Sequence, residues 1–300
     1  MEKGWACAFG SASLFPRGGV FYWGTGRLRL RYFSPALDRQ MQAQPPLDPP
    51  IAELDRQRFE RHGYLVVRGL APPALLAAME QAVDQHLDPL LGPAEFEADV
   101  AYPGAPADRL APGGKTPRRL LNALSRDTSF RSWALCLPIA RRLEILLGGP
   151  VALAQSHHNC IMTKYPGFSS DTAWHQDVRY WSFDRPELVS VWLALGEERE
   201  ENGGLRVLPG THSQTFERGR LDAALFLRQD LEENQALIAS AVDLELRRGD
   251  VLFFHGRLFH AAGRNRTQTV KRSVVFTYHR QDNHPIPGTR SDAYPSLSLA

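Results

Sequence analysis

The sequence predicts a mainly β domain, either a sandwich or a barrel, with supporting helices that precede it in the chain. Beyond residue 150, short apolar runs alternate with Gly, Asn and Pro, which is typical of antiparallel strands and not of a βαβ fold. The runs cover residues 151–163, 188–195, 205–208, 242–246, 251–255 and 273–279. Before residue 150, apolar residues recur at helical spacing. We therefore expect residues 49–150 to be mostly helical support and residues 151–285 to form the barrel.

The first predicted elements follow a proline-rich stretch. Residues 51–61 are predicted to form a short helix that ends at Gly63, and the apolar residues 64–67 are predicted to form a strand. Pro72 and Pro73 open a second helix, because proline is compatible with the first turn of a helix. We expect these elements to pack against the barrel.

A loop, a helical pair and an insertion complete the predicted organisation. Residues 92–118 are rich in Gly, Pro and Ala without a steady period, so a loop is predicted there. The helical pair that follows is broken at Pro138 and ends at Gly148. Residues 215–240 interrupt the strands with a charged, helix-like segment, which is compatible with a lid and equally with a surface helix.

The domain organisation follows from composition. The chain has 300 residues, of which 43% are apolar and 23% charged, an ordinary balance for one globular domain. Domain-like patterning begins only after the prolines at 45–50, so a single domain is predicted over residues 49–300. Residues 1–48 are rich in Arg, Gly and Ser and lack the apolar segment of a secretory signal. We expect them to be a disordered or non-domain tail, in preference to a transit peptide.

Charge and hydropathy exclude several classes of partner. The net charge is +2 and the basic residues are scattered, so no nucleic-acid partner is expected. The sequence has no run of 18 apolar residues, so no membrane partner is expected either. A small organic molecule is the expected substrate, and a monomer and a homodimer remain equally open. Cys7, Cys136 and Cys160 form no CxxC pair, which favours a reducing compartment, the cytoplasm.

A metal site is predicted from three residues. His175 and Asp177 are two residues apart, which on an extended segment places both on one face. That spacing alone is weak evidence, but His260 ends an apolar strand that begins at Gly249 and Asp250. Two imidazoles and one carboxylate leave positions open on the opposite side of a metal, which suits iron(II) that must bind both a chelating acid and O2. We favour His260 over His255, whose odd offset from it points to the other strand face.

These motifs resemble the phytanoyl-CoA dioxygenase family of iron(II)- and 2-oxoglutarate-dependent oxygenases. The resemblance extends from about residue 58 to residue 280. Each matching piece is short, but the ordered set is specific. The pieces are residues 59–69, 164–166, 174–177, 191–195, 202–204, 209–212 and 249–250, followed by His260.

The resemblance implies a double-stranded β-helix, a jelly-roll, cupin-like barrel with helices on one side. It also implies that 2-oxoglutarate is a cosubstrate that chelates the iron and is converted with O2 to succinate and CO2. The substrate would be hydroxylated. Halogenating relatives replace the carboxylate ligand by a small residue, so Asp177 favours hydroxylation.

The cosubstrate's distal carboxylate requires a cation, and two neighbouring residues compete for this role. In the family an Arg follows the distal His by eleven residues, and here that position is Lys271, while Arg272 has the right residue type one place later. Adjacent strand residues face opposite ways, so only one can enter the barrel. Spacing favours Lys271, supported by Ser273 on the same face, and residue chemistry favours Arg272.

Three further residues are candidates for contact with the cosubstrate. Gln176 and Trp192 match family positions near it, and Lys164 offers a second polar contact. The alternative function is a cupin-like isomerase or metal-binding protein without oxygenase activity, and the candidate cation argues against it. A catalytically inactive scaffold would be expected to lack a ligand, whereas all three are present.

Overall fold

A computed structural model describes residues 49–299, and the predictions made for residues 1–48 lie outside this range. Residues 49–150 were predicted to form the helical support, and four of the five described helices lie in this range. The helices are α1 (Pro49–His62), α2 (Pro73–Leu87), α3 (Thr128–Ala134), α4 (Leu137–Leu147) and α5 (Glu232–Ile238). None of these helices is long and apolar enough to cross a lipid bilayer.

Twelve strands are present among the described residues, and they form two antiparallel sheets. They are β1 (Tyr64–Val67), β2 (Ala94–Phe96), β3 (Pro117–Leu121), β4 (Val151–Lys164), β5 (Thr172–His175), β6 (Leu188–Ala194), β7 (Leu205–Val207), β8 (Val242–Asp243), β9 (Val251–His255), β10 (His260–Ala262), β11 (Lys271–Arg280) and β12 (Leu297–Ser298). The larger sheet has the order β1-β9-β6-β11-β4-β3-β2, with β12 beside β4, and the smaller sheet has the order β5-β10-β7-β8. The architecture confirms the predicted jelly-roll barrel.

The central strands of the larger sheet are buried on both faces. Val191, Phe253 and Phe276 belong to the core that the sheet shares with the helices. The neighbouring Trp192 and Phe254 belong to a second core, which lies between the two sheets. Because successive side chains of a strand point to opposite faces, each strand contributes alternately to both cores. The side chain that enters the barrel is thus decided by its position along the strand.

Local sequence explains two of the helix boundaries. Gly63 ends α1 with a left-handed φ of +79°, and Pro138 lies in the first turn of α4, where proline is tolerated. The predicted break at Pro138 is therefore the start of a new helix. The loop predicted over residues 92–118 was wrong in part, since β2 lies there and pairs with β3. This pairing depends on a distant segment and leaves no local periodicity.

The insertion at residues 215–240 packs on the outer face of the smaller sheet. Leu227 donates its backbone N–H to the carbonyl of Trp174, and its side chain joins an apolar cluster with Trp174 and Phe259. Asp222 accepts the backbone N–H of Phe226 and thereby closes a tight turn. The ring of Phe226 lies edge-on to His175, with 5.7 Å between the ring centroids. The insertion therefore supports one wall of the barrel beside His175.

We expect Gly63→Ala to destabilise the fold more than Gly69→Ala. Both glycines have positive φ, so either substitution costs about 1 to 3 kcal/mol of backbone strain. A Cβ at position 63 would also lie 2.5 Å from His212 Nδ1, whereas a Cβ at position 69 meets no atom within 4 Å. Urea denaturation measures the two free energies of unfolding. Equal losses in the two variants would contradict the predicted role of the close contact with His212.

Candidate metal centre and active site

Two histidines meet across the pairing of β5 with β10. His175 and His260 occupy opposite positions of this antiparallel pair, and their ring centroids are 4.3 Å apart. Both side chains are buried. Strand pairing, not proximity in sequence, therefore brings the two imidazoles to one point.

Backbone carbonyls orient both imidazole rings. Nδ1 of His175 lies 2.8 Å from the carbonyl oxygen of Ala173, and Nδ1 of His260 lies 3.0 Å from that of Leu258. Since a carbonyl oxygen only accepts, each Nδ1 carries the proton and donates it. Each Nε2 is left with a lone pair, which is the form that binds a metal.

The carboxylate of Asp177 completes the cluster. Its Oδ1 atom lies 3.8 Å from Nε2 of His175 and 3.6 Å from Nε2 of His260. Asp177 is fully buried, yet Oδ1 has no hydrogen-bond partner. A buried carboxylate oxygen without a donor is costly, and a cation coordinated by these three atoms would remove that cost. The donor set, one oxygen and two imidazole nitrogens within 4.8 Å of one another, suits a divalent transition metal.

The second oxygen of Asp177 is held by residues that were not among the predicted site residues. Ser190 donates its hydroxyl to Oδ2 at 3.1 Å, and Nδ1 of His158 lies 3.5 Å from the same atom. Ser190 lies on β6, two residues before Trp192, and so shares its barrel-facing side. This position on the same strand face as Trp192 was the only sequence signal for Ser190.

At neutral pH the cluster has the protonation states that bind a cation. Burial alone would raise the pKa of Asp177, but the surrounding histidines His158, His260 and His175 outweigh it and hold the pKa below its usual value. Burial, followed by the proximity of His260, lowers the pKa of His175 to about 3. Asp177 is therefore ionised and His175 neutral over the physiological range.

A cavity of about 470 Å³ opens in front of the three residues. Its lining is rich in cations and includes aromatic rings such as Tyr102, Tyr180 and Trp181. Five cationic side chains line it against two carboxylates. The cations are Arg118, Arg119, Lys164, Lys271 and Arg290, and the carboxylates are Glu95 and Asp177. The cavity thus carries excess positive charge even before a metal binds.

Lys271 lies on the barrel-facing side of β11 and lines this cavity. Its ammonium group is 3.1 Å from Ser273 Oγ, 3.2 Å from Glu198 Oε2 and 4.9 Å from the centre of the Trp192 ring. An ammonium group has three donors, and the two hydrogen bonds leave one N–H for a ligand. Lys271, Ser273 and Trp192 are thus brought together, with Trp192 also lining the cavity.

Arg272 and Gln176, two of the candidates for contact with the cosubstrate, are not among the residues that line this cavity. Arg272 points to the helix side of the sheet and forms an ion pair with Asp84 of α2. Gln176 donates its side-chain N–H to the carbonyl oxygen of Arg257. Arg272 points away from the cavity because successive side chains of β11 alternate between the two faces, and Gln176 points away because the chain turns after β5.

Lys164 lies opposite Lys271 on the neighbouring strand and lines the cavity, but its ammonium group is already engaged. It donates to the carbonyl oxygens of Ser170, Ala262 and Gly263 at 2.6, 3.2 and 2.7 Å. Burial and the charge of Lys271 lower the pKa of Lys164 to about 7. Three carbonyl acceptors favour the charged form, so we assign Lys164 a part in holding the loop after His260.

His255 is remote from the cluster. Its ring is tilted against those of Phe59 and His212, with centroid distances of 6.3 and 5.5 Å, and its Nδ1 accepts the backbone N–H of Arg257. His255 lines a separate surface cavity and not the one that contains Asp177. The odd offset of His255 from His260 agrees with this placement.

The jelly-roll barrel and the cluster of two histidines and one aspartate define the class of the protein, a non-haem iron- and 2-oxoglutarate-dependent dioxygenase. The sequence model of the phytanoyl-CoA dioxygenase (PhyH) family matches residues 59–273, so the chain belongs to this family. Iron and 2-oxoglutarate are accordingly its cofactor and cosubstrate.

Individual relatives agree with this assignment. Human peroxisomal phytanoyl-CoA dioxygenase is 27% identical over 259 residues, which cover 82% of this chain and 73% of that protein. Among solved structures, the epimerase SnoN in complex with Fe3+, α-ketoglutarate and nogalamycin RO has a TM-score of 0.64 at 21% identity, covering 84% of this chain and 96% of that one. EctD from S. alaskensis with 2-oxoglutarate and 5-hydroxyectoine has a TM-score of 0.63 at 20% identity, covering 81% and 84%. The structural likenesses show a shared fold.

We expect Ser190→Ala to weaken metal binding while leaving the fold intact. The hydroxyl orients Oδ2 of Asp177, and loss of such an outer partner typically costs about 10- to 100-fold in metal affinity. Anaerobic calorimetry with iron(II) measures the change. Ser213→Ala is the matched control, because its hydroxyl is bonded to the Gly210 carbonyl on the surface. An unchanged iron affinity in Ser190→Ala would contradict this role.

Proposed function

We propose that the protein hydroxylates a small anionic organic molecule, with iron(II) held by His175, Asp177 and His260. The observation that carries the metal assignment is the unpartnered, buried Oδ1 of Asp177 facing two free Nε2 atoms. Three ligands from one side leave room on the opposite side for both 2-oxoglutarate and O2. The iron and 2-oxoglutarate, when bound, supply the oxidising chemistry, in which 2-oxoglutarate is converted to succinate and CO2.

Lys271 is the proposed partner of the distal carboxylate of 2-oxoglutarate. Its position on the cavity wall and its remaining N–H donor support this role. Trp192 contributes the flat ring over which the ammonium group lies, and Ser273 accepts one of its hydrogen bonds. These contacts restrict a flexible side chain to one position, which reduces the entropy lost when the cosubstrate binds.

We infer the substrate class from the arginines that line the cavity. Arg118 and Arg119 share a single carboxylate, Glu95, at 2.9 and 2.6 Å. Arg290 also lines the cavity and forms no ion pair with any residue of the range 49–299. Guanidinium groups in excess of carboxylates favour a carboxylate or phosphate on the substrate. Tyr102, Tyr180 and Trp181 supply the apolar surface for its carbon skeleton.

The buried cysteines bear on the proposed compartment. Cys136 and Cys160 are both buried and free. Burial raises the pKa of both thiols, so neither is activated for redox chemistry. Two unpaired cysteines support the cytoplasm, or another reducing compartment, as the proposed location.

Removal of any metal ligand should abolish iron binding. His175→Ala, Asp177→Ala and His260→Ala each delete one of three protein ligands, so anaerobic calorimetry should detect no iron(II) binding and no succinate should form. His255→Ala is the control, because this ring faces another cavity, and it should retain iron binding. Iron binding by His260→Ala at the affinity of the unaltered protein would overturn the ligand assignment.

Lys271→Ala should weaken 2-oxoglutarate binding strongly, whereas Arg272→Ala should change it little. The first substitution leaves a desolvated carboxylate without its cation, a loss of about 2 to 5 kcal/mol. The second removes an outward ion pair that contributes about 0 to 1 kcal/mol. Anaerobic titration of the iron(II) protein, followed by its charge-transfer absorption, gives both dissociation constants. The reverse order of effects would assign the cation role to Arg272.

The substrate class is tested with pairs of compounds that differ only in charge. Each candidate carboxylic acid or phosphate is compared with its fully methylated, uncharged ester, and 2-oxoglutarate-dependent succinate release is recorded for both. We expect stimulation by the anion and little by the ester, because the ester presents no charge to the arginines. Mass spectrometry of the product then checks for the added oxygen atom. Stimulation by esters alone would reject an anionic substrate.

A further inference from the structure

A buried carboxylate behind Lys271 has no part in the chemistry described so far. Glu198 follows β6 in a loop that pairs through its backbone with Leu246, and its side chain is fully buried. Its carboxylate accepts hydrogen bonds from Ser273 Oγ at 2.6 Å, from Trp192 Nε1 at 3.0 and 3.1 Å, and from Lys271 Nζ at 3.2 Å. Three donors surround it, one of them charged, as expected for an ionised group.

Glu198 already neutralises the cation that the cosubstrate needs. Lys271 forms its ion pair with Glu198 in a part of the barrel where both side chains are almost completely buried, at 3% and 0% exposure. The next cation, Lys164 on β4, donates its three N–H groups to backbone carbonyls, and its charge is offset by the nearby carboxylates Glu97 and Asp171. The charged neighbours of Glu198 in sequence, Glu197 and Arg199, lie on the surface and pair with each other at 3.2 Å. The ion pair therefore presents no net charge to an incoming carboxylate.

On this basis, and resting on the proposed binding of 2-oxoglutarate by Lys271, we propose that Glu198 makes cosubstrate binding proton-linked. When the distal carboxylate of 2-oxoglutarate contacts the free N–H of Lys271, Glu198 takes up one proton from solvent. Two carboxylates around one buried ammonium group leave a surplus negative charge, and protonation of one of them removes it. The C5 carboxylate then has Lys271 as an uncompensated cation.

The surroundings of Glu198 accommodate both protonation states. Ser273 donates its hydroxyl to the ionised carboxylate, and a hydroxyl can turn and accept a hydrogen bond instead. A Glu198 that is protonated on Oε1 can thus donate to Ser273 Oγ while Oε2 still accepts from Trp192 Nε1. Ser273 Oγ, which already accepts a hydrogen bond from Lys271, then accepts a second one, and its own hydroxyl hydrogen is left to donate to the incoming carboxylate.

The consequence is a pH-dependent affinity for 2-oxoglutarate. Because the complex holds one more proton than the separate partners, affinity falls as pH rises, by up to about tenfold per pH unit. Glu198→Gln is a neutral replacement of the same size, which imitates the protonated residue. This variant should bind 2-oxoglutarate with little dependence on pH, and at about pH 9 it should bind at least about tenfold more tightly than the unaltered protein.

The test uses the iron(II)-loaded protein under anaerobic conditions. Calorimetry in two buffers of different ionisation enthalpy gives the number of protons taken up with 2-oxoglutarate, and absorption titrations give the dissociation constant at each pH. Titration with 2-oxobutyrate, which has the same chelating end but no distal carboxylate, isolates events at the metal. Glu197→Gln is the matched control, since it removes the same charge from an exposed position.

We expect uptake of about one proton with 2-oxoglutarate, none with 2-oxobutyrate, and none in Glu198→Gln. Equal proton uptake for the two ligands would overturn the proposal, and this comparison needs no variant. Proton uptake that persists in Glu198→Gln would also overturn it and would point to Lys164. Failure of the unaltered protein to bind 2-oxoglutarate at all would instead reject the proposed function on which this inference rests.

Discussion

The site depends on the antiparallel pairing of β5 with β10. His175 and His260 are 85 positions apart in the chain, but the pairing places them opposite each other with their rings 4.3 Å apart. Asp177 then reaches the same point because the chain turns immediately after β5. A shift of this pairing by one residue would turn one imidazole to the outer face. The insertion that packs Phe226 and Leu227 against this sheet therefore supports the register on which the metal site relies.

The cavity combines a buried carboxylate with several cationic side chains. The carboxylate is that of Asp177, which has one oxygen held by Ser190 and the other without a donor. An unpartnered buried oxygen is a local cost to the empty protein, so metal binding stabilises the fold as well as the reaction. In the lining as a whole, cationic side chains outnumber carboxylates. The barrel thus offers a carboxylate to the metal and cations to the organic anions that we propose bind beside it.

Neighbouring side chains on the larger sheet point to opposite faces and therefore have different roles. On β11, Arg272 pairs with Asp84 of the helical layer, while Lys271 and Ser273 enter the barrel and meet Glu198. The same alternation sends Phe253 to the helices and Phe254 to the interior of the barrel. One set of strands therefore packs against the helices with one face and lines the ligand cavity with the other. An insertion of one residue would exchange these roles along the whole strand.

The sequence by itself determined the mainly β class and the three candidate ligands, because strand texture, the HxD spacing and the apolar strand that ends at His260 are local patterns. It also predicted the insertion and, through strand alternation, the separation of His255 from His260. Only the tertiary structure decided that Lys271 enters the cavity, that Gln176 turns away, and that Glu198 pairs with Lys271. These features depend on the register of strands and on contacts between segments far apart in the chain. Periodicity reports which residues share a face, but it carries no information on which distant residue that face will meet.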